Sequence, residues 1–246
     1  MISQMQGVVL RQIRTVRGRR IIVLFSRDRG KISAGTFINE SGKNKSALAL
    51  RPFAYGRYEL SSTRGNFNIN SAEVLKSHYR IGEHVEKYVN ASYALEFTDK
   101  FLQEDEPAQG LFDELIDFLS LMEHRNKAYG TLVAGYVCRA IAWAGCAPGL
   151  TGCTNCGEED MCVFSVEDGG LLCEACRSAS GRSPALIFPV SADIIEVFRY
   201  LLENPIKNLR NLALRDELEQ SIREILSAYI ACHLGIGGLK SESLIV

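Results

Sequence analysis

Histidine is scarce in this chain of 246 residues: there are four, and none lies between His124 and His233. With no His/carboxylate constellation, the sequence offers no general base for hydrolytic or transfer chemistry. No G-x4-GK[ST] segment occurs, so no phosphate-cradling nucleotide loop is expected. The longest apolar runs, such as residues 21–25, fall far short of the ~20 residues that cross a bilayer. The opening MISQMQGVVLRQIRTVRGRR has no apolar h-region of a secretory leader. Internal repeats and low-complexity tracts are also missing. A soluble, cytoplasmic protein that is not an enzyme is the expectation. In that compartment eight cysteines mean metal or burial rather than disulfides.

What is present is unevenly placed. Residues 1–80 carry fifteen Lys or Arg against four Asp or Glu, a net of +11; residues 81–246 carry thirteen against twenty-five, a net of −12. A strongly basic part joined to an acidic remainder points to a polyanion partner for the first part. Neutralisation of one part by the other is the alternative. Arg outnumbers Lys by eleven to four in the basic part, which favours bidentate phosphate contact.

The basic part reads as β-structure. GVVLRQIRTV alternates apolar and polar residues, RRIIVLFS is a near-continuous β-branched run, and KISAGTFI alternates again after a break at RDRG (27–30). ESGKNKS (40–46) is a polar loop, followed by ALALRPFAYGRYELSS and TRGNFNI. Five short strands predict a small closed barrel, an OB-fold first and an SH3-like barrel second. Ser71 reads as the N-cap of a helix over SAEVLKSHY. Guanidinium groups that track phosphates, with flat rings that stack on bases, are how single strands are held. The candidate DNA-contacting residues are Arg14, Arg17, Arg19, Arg20, Arg27, Arg29, Lys31, Lys43, Lys45, Arg51, Arg57 and Arg64. Phe53, Tyr55 and Tyr58 are either the stacking rings or barrel core.

The remainder is helical text. GLFDELIDFLSLMEH (110–124) places apolar residues at 112, 115, 116, 119 and 122, an amphipathic stripe. Residues 131–145 are apolar nearly all round and should be buried, with Cys138 and Cys146 as core thiols. Residues 192–204 and 215–235 are further amphipathic helices. The expected division is a basic barrel (1–80), a first helical part (81–150), a cysteine module (151–180) and a second helical part (181–246).

Within CTNCGEEDMCVFSVEDGGLLCEAC (153–176) two C-x2-C pairs stand sixteen residues apart. A redox pair opens a helix after a strand, whereas Cys156 is followed by Gly157 and an acidic loop. VFSV and LLC around EDGG predict a hairpin that folds the second pair onto the first. Cys153, Cys156, Cys173 and Cys176 are thus expected to hold one structural Zn²⁺. Cys162 lies outside the spacing, facing the hairpin core or standing in as a ligand. The segment carries six acidic residues and no basic one, so it should not lead DNA contact.

The basic barrel, helical body and four-cysteine hairpin together resemble the bacterial DNA repair and recombination proteins of the RecO family. LFSRDRGKISAG (24–35), GCAPGLTGCTNCG (145–157), GGLLCEAC (169–176) and YIACHLGIGGLKS (229–241) carry the resemblance. It implies an N-terminal OB-fold, a mostly helical remainder and a recombination mediator that binds single- and double-stranded DNA and anneals complementary strands. It further implies partnership with RecR, the recombinase filament and the acidic C-terminal tail of single-strand binding protein, in the cytoplasm at the nucleoid. The family places the site for that tail in the helical part. Arg125, Lys127, Arg199, Lys207, Arg210 and Arg215 are the candidates there. Two other readings stay open. A zinc deaminase or nuclease would need an H-x-E or C-x-E element beside an open zinc position; Cys173-Glu174-Ala175-Cys176 sets a glutamate next to a ligand without that spacing. A scaffold could use the same arginines on an acidic protein.

Overall fold

A computed structural model of the chain describes residues 2–15, 19–38, 45–63, 65–179, 181 and 183–244. By contacts the chain falls into two units, Met1–Arg125 with Leu239–Val246, and Asn126–Gly238.

The first unit is built on a barrel. Strands β1 (Ile2–Arg14), β2 (Arg20–Ser26) and β3 (Gly30–Thr36) form an antiparallel meander, and β4 (Tyr55–Thr63) pairs with β5 (Asn66–Lys76). The sheet closes in the order β1-β2-β3-β5-β4, with β3 and β5 parallel and β4 antiparallel to β1. This is the OB-type barrel the alternation predicts. Val9, Ile22, Leu24, Ile32, Tyr58, Leu60 and Ile69 fill it. A short helix α1 (Lys45–Leu48) adds Ala49 and Leu50 to that core, and Tyr58 Oη donates to the Ala49 carbonyl at 2.6 Å. Residues 45–46 belong to the expected polar loop and 47–48 to the β text expected after it; a short helical plug forms there instead.

Residues 71–76 also differ from expectation. Ser71 lies inside β5, and no helix starts there. The register shifts between Glu59 and Leu60, which pair with Ser71 and Ile69, so Asn70 is the extra residue of a bulge. Two polar residues in succession there break the period of two and imitate a cap.

Strand β2 is buried almost throughout. Ile22 and Leu24 point into the barrel, while Phe25 meets Phe112 edge-on at 5.2 Å. Phe112 sits on helix α3 (Gln109–His124), which follows α2 (Val85–Phe101). The link between these helices presses on the β2–β3 turn: Asp105 N donates to the Lys31 carbonyl at 2.9 Å. Gly30 has φ +70°, and a Cβ there would lie 1.8 Å from the Glu106 carbonyl oxygen, so only glycine fits. The chain end is tied to the same unit, because the Glu96 carboxylate accepts from Lys240 N, Ser241 N and Ser241 Oγ at 2.7–3.0 Å. Burial pushes that carboxyl up, but these donors outweigh it and hold it below the usual range.

The second unit packs α4 (Tyr129–Trp143), α6 (Ala192–Glu203) and α7 (Asp216–Leu234) around a three-stranded sheet of β6 (Met161–Ser165), β7 (Gly170–Cys173) and β8 (Ile187–Pro189). A short α5 (Glu174–Ser178) follows β7. Gly135 lets the 3-10 turn Ile206–Asn211 lie against α4, since a Cβ there would sit 2.2 Å from Leu209 Cδ1. Cys138 is a core thiol on α4, and burial pushes it up. Among the described residues no helix is long and apolar enough to cross a membrane.

His78 follows β5 in the left-handed region (φ 48°) and is fully buried. Burial first, then Lys76 and His124, lower its imidazole to about 4. Glu123 lies 3.5 Å from Nδ1 but is shared with Lys76 at 3.7 Å. The unfolded chain takes up this proton near the usual ~6.5 and the native one does not, so stability is lost as pH falls from about 6.5 toward 4. Urea unfolding of the protein should show a drop of about 1 kcal/mol from pH 7 to pH 5.5 that His78→Asn removes.

Candidate metal centre and nucleic-acid interface

The four predicted thiols converge. The Sγ atoms of Cys153, Cys156, Cys173 and Cys176 all lie within 4.8 Å of one another, and Cys156 and Cys173 are 3.6 Å apart. A tetrahedron with ~2.3 Å metal–sulfur bonds has edges of ~3.8 Å, so this donor set can take a metal ion. The first pair sits on a tight knuckle in which Gly157 N donates to the Cys153 carbonyl and Cys153 N to the Glu158 carbonyl, each at 2.8 Å. Gly157 takes φ +80° to close it. The second pair spans the junction of β7 and α5. That is the setting of a redox pair, and the facing first pair is what marks it as a clamp.

Backbone approach brings the loop to the strand. Leu171 N donates to the Gly149 carbonyl at 3.0 Å, and Thr154 N to the Leu171 carbonyl at 2.8 Å. A Cβ at Gly170 would fall 2.4 Å from the Gly149 oxygen. The sheet has two different faces. Val163 and Leu172 pack with Cys153 and Cys173 in a core of four buried residues. Phe164, on the other face, stacks near Phe198 and Tyr229 at 5.8 and 6.0 Å. His233 packs on Tyr229 at 4.3 Å and bonds the Val166 carbonyl through Nε2.

The thiols differ in their hold on protons. Burial works against the Cys153 thiolate, but backbone N–H groups of Cys173, Cys156 and Asn155 bring it down to about 6. Contacts with Cys156 and Cys173, then burial, push Cys176 up to about 12. A cation bound there would take the place of thiol protons. Cys162 stands apart at the bulge between Met161 and Val163, with Sγ 3.3 Å from Glu174 Oε2 and 3.6 Å from the Leu172 carbonyl. Burial, then Glu174, pushes its thiol up.

The basic residues of the barrel divide into two groups. Arg27 pairs with Asp113 at 3.0 Å, Arg29 with Asp105 at 2.8 Å, and Lys31 reaches the Asp99 carbonyl at 2.5 Å. The neighbouring Arg11 also bonds Asp99. Helices α2 and α3 and their link thus neutralise one hairpin. Arg20 is buried, its guanidinium on the Ile38 carbonyl. Arg14, Arg19, Arg51 and Arg57 are exposed, Arg57 beside Glu73 at 3.0 Å. Arg17, Lys43 and Arg64 lie outside the described residues, as does the side chain of Lys45.

The expected rings are internal: Tyr58 and Phe53 are buried, and Tyr55 is half-buried against Phe112. Other rings are outside. Arg51 lines a groove of about 430 Å³ with Phe53, Tyr79 and Tyr88, the last two exposed. Phe37 is 85% exposed, with the Arg19 guanidinium 5.6 Å from its centroid. Sequence reasoning left Phe37 within a strand; the apolar pair Phe37–Ile38 before a polar loop was the available signal, since neighbours on extended chain face opposite ways.

Of the helical-part cations, Arg199 donates to the Leu150 carbonyl at 2.8 Å and secures the loop before the cysteines. Arg215 faces Asp193 at 3.4 Å. Lys207 and Arg210 are exposed on the 3-10 turn, Lys127 is exposed, and Arg125 is half-buried.

Comparison with known proteins bears on both features. Residues 1–78 match the family model described as "Recombination protein O N terminal", and residues 82–243 match "Recombination protein O C terminal". The chain is similar to the DNA repair protein RecO of Alkaliphilus metalliredigens, 26% identical over 238 residues that cover 95% of this chain and 94% of the relative. It is 27% identical to RecO of an Exiguobacterium species, covering 96% and 92%, and 27% identical to RecO of Bacillus pumilus, covering 98% and 93%.

Elemental analysis of purified variants checks the ligand set. Cys153→Ser should lose nearly all bound metal, whereas Cys162→Ser should keep the wild-type content.

Proposed function

The chain belongs to the RecO family, and on that premise we propose that it is a DNA repair mediator whose basic barrel binds single- and double-stranded DNA and anneals complementary strands. One observation supports this reading: Arg14, Arg19 and Arg51 are exposed on one strongly basic barrel. Cations in that position neutralise phosphates without regard to sequence and release counterions. Two strands repel until such screening is supplied. With phosphates held and base edges left free, a second strand can pair with the first. No bond is made or broken, so no acid, base or nucleophile is called for.

The reading includes the cytoplasm at the nucleoid as the place of action. RecR, the recombinase filament and the acidic tail of single-strand binding protein are the protein partners that the family resemblance implies. Exposed Lys207, Arg210 and Arg215 on the α6–α7 connection are the cations offered to that tail in the second unit.

One Zn²⁺ on Cys153, Cys156, Cys173 and Cys176 fits the all-thiolate donor set. When bound it would crosslink the knuckle to the β7–α5 junction, with no position left for a reacting water. The module carries the acidic, exposed Glu158, Glu159 and Asp160 between its first cysteine pair and β6, which suits a structural part better than a DNA contact.

A salt series with a labelled single strand tests the main reading, with annealing followed in the same samples. Log affinity should fall linearly with log salt. Arg14→Glu and Arg51→Glu should each flatten the slope by about 1 if each meets one phosphate. Absence of binding at low salt would sink the reading and leave the exposed arginines to an acidic protein. A second experiment tests the metal. Native mass spectrometry should find one zinc per chain, and chelation should lower the melting temperature while leaving the DNA salt slope unchanged.

A further inference from the structure

Single exposed rings are common on protein surfaces and by themselves mean little. Phe37 differs in how its surroundings are built. It is the most exposed large hydrophobic among the described residues, at 85%. Arg19 is held above it, 5.6 Å from the ring centroid, while its Nη2 donates to Asn68 Oδ1 on β5. The guanidinium lies across Gly35 on β3, where a Cβ would come within 2.1 Å of Nη2. A glycine, an asparagine and a strand end therefore fix a cation against one side of a ring whose remaining surface meets solvent. Arg14, at the end of β1, is exposed on the same hairpin.

We infer that Phe37 and Arg19 form a stacking site for an unpaired base of single-stranded DNA. The inference rests on the DNA-binding reading above and deepens it, because it says how the barrel tells a single strand from a duplex. Any base offers a π-face, so an aromatic platform is tolerant of sequence. In a duplex those faces are covered by neighbouring base pairs and the ring gains nothing. Arg19 answers the adjoining phosphate and keeps the ring open by holding the same side in every complex. Phosphate neutralisation then serves both forms of DNA, and Phe37 adds only to the single strand.

The test compares a poly(dT) strand of about 15 nucleotides with a closed-end hairpin duplex of equal charge. Phe37→Ala should weaken poly(dT) binding roughly 5- to 100-fold and leave duplex binding within about twofold. Its salt slope should match wild type, because a ring releases no counterions. Gly35→Ala displaces the Arg19 guanidinium, the far end of a flexible side chain, and should reproduce part of the loss, with its melting temperature confirming that the fold is kept. Phe37→Trp should retain binding and show fluorescence quenched by poly(dT) but not by the hairpin, over the constant signal of Trp143. Equal losses for both DNAs, or no loss for either, overturn the inference while DNA binding itself stands. Wild-type protein that binds neither DNA at low salt overturns the DNA reading and this inference together.

Discussion

Strand β2 has no face for solvent. Ile22 and Leu24 are committed to the barrel, so Phe25 requires a cover, and α3 supplies it through Phe112. Burial of a phenylalanine is worth about 1.5–3 kcal/mol, and this one decides where the helical pair lies. Once α2 and α3 are there, Asp99, Asp105 and Asp113 stand opposite Arg11, Arg27, Arg29 and Lys31. The charge asymmetry of the chain is therefore partly settled within the first unit. Exposed ion pairs of this kind add little stability each, on the order of 0–1 kcal/mol. Their larger effect is to decide which cations stay available, and where.

The cysteine module solves a different problem with similar means. Its sheet is too small to bury both faces in protein. Phe164 gives one face to the helices of the second unit, while Val163 and Leu172 back onto the thiols. A metal crosslink suits the side with four core residues, because a strong local bond replaces apolar area that so few residues cannot supply. Close backbone contact between Gly149 and Gly170 then orients the knuckle without side chains.

Much of this was legible in the sequence. The strands and long helices carry the period of half-buried elements, and the four cysteines that converge are marked by their spacing. Failures have physical causes. Ser71 imitates a cap because a bulge at Asn70 breaks the alternation. Cys162 stayed ambiguous because its placement depends on a bulge in β6. The neutralised hairpin could not be read at all: Arg27 and Asp113 are 86 positions apart, and nothing local joins them. For the same reason the basic stretch looked uniform, although only some of its cations face outward. The aromatics of residues 51–58 sit where a barrel needs filling, and the outward rings lie elsewhere.

The barrel is closed unevenly. Strands β1 and β2 register through seven residue pairs, and β2 and β3 through seven, but β3 and β5 meet in a parallel seam of three, Ala34–Phe67, Gly35–Asn68 and Thr36–Ile69. Cooperative units open first where the fewest contacts must break. Amide hydrogens along this seam would then exchange with solvent ahead of those in the β1–β2 ladder, and the cylinder would breathe as a sheet hinged on its long hairpins. The Arg19–Asn68 bond spans that seam and adds a side-chain tie to the joint at which the barrel most easily becomes an open surface.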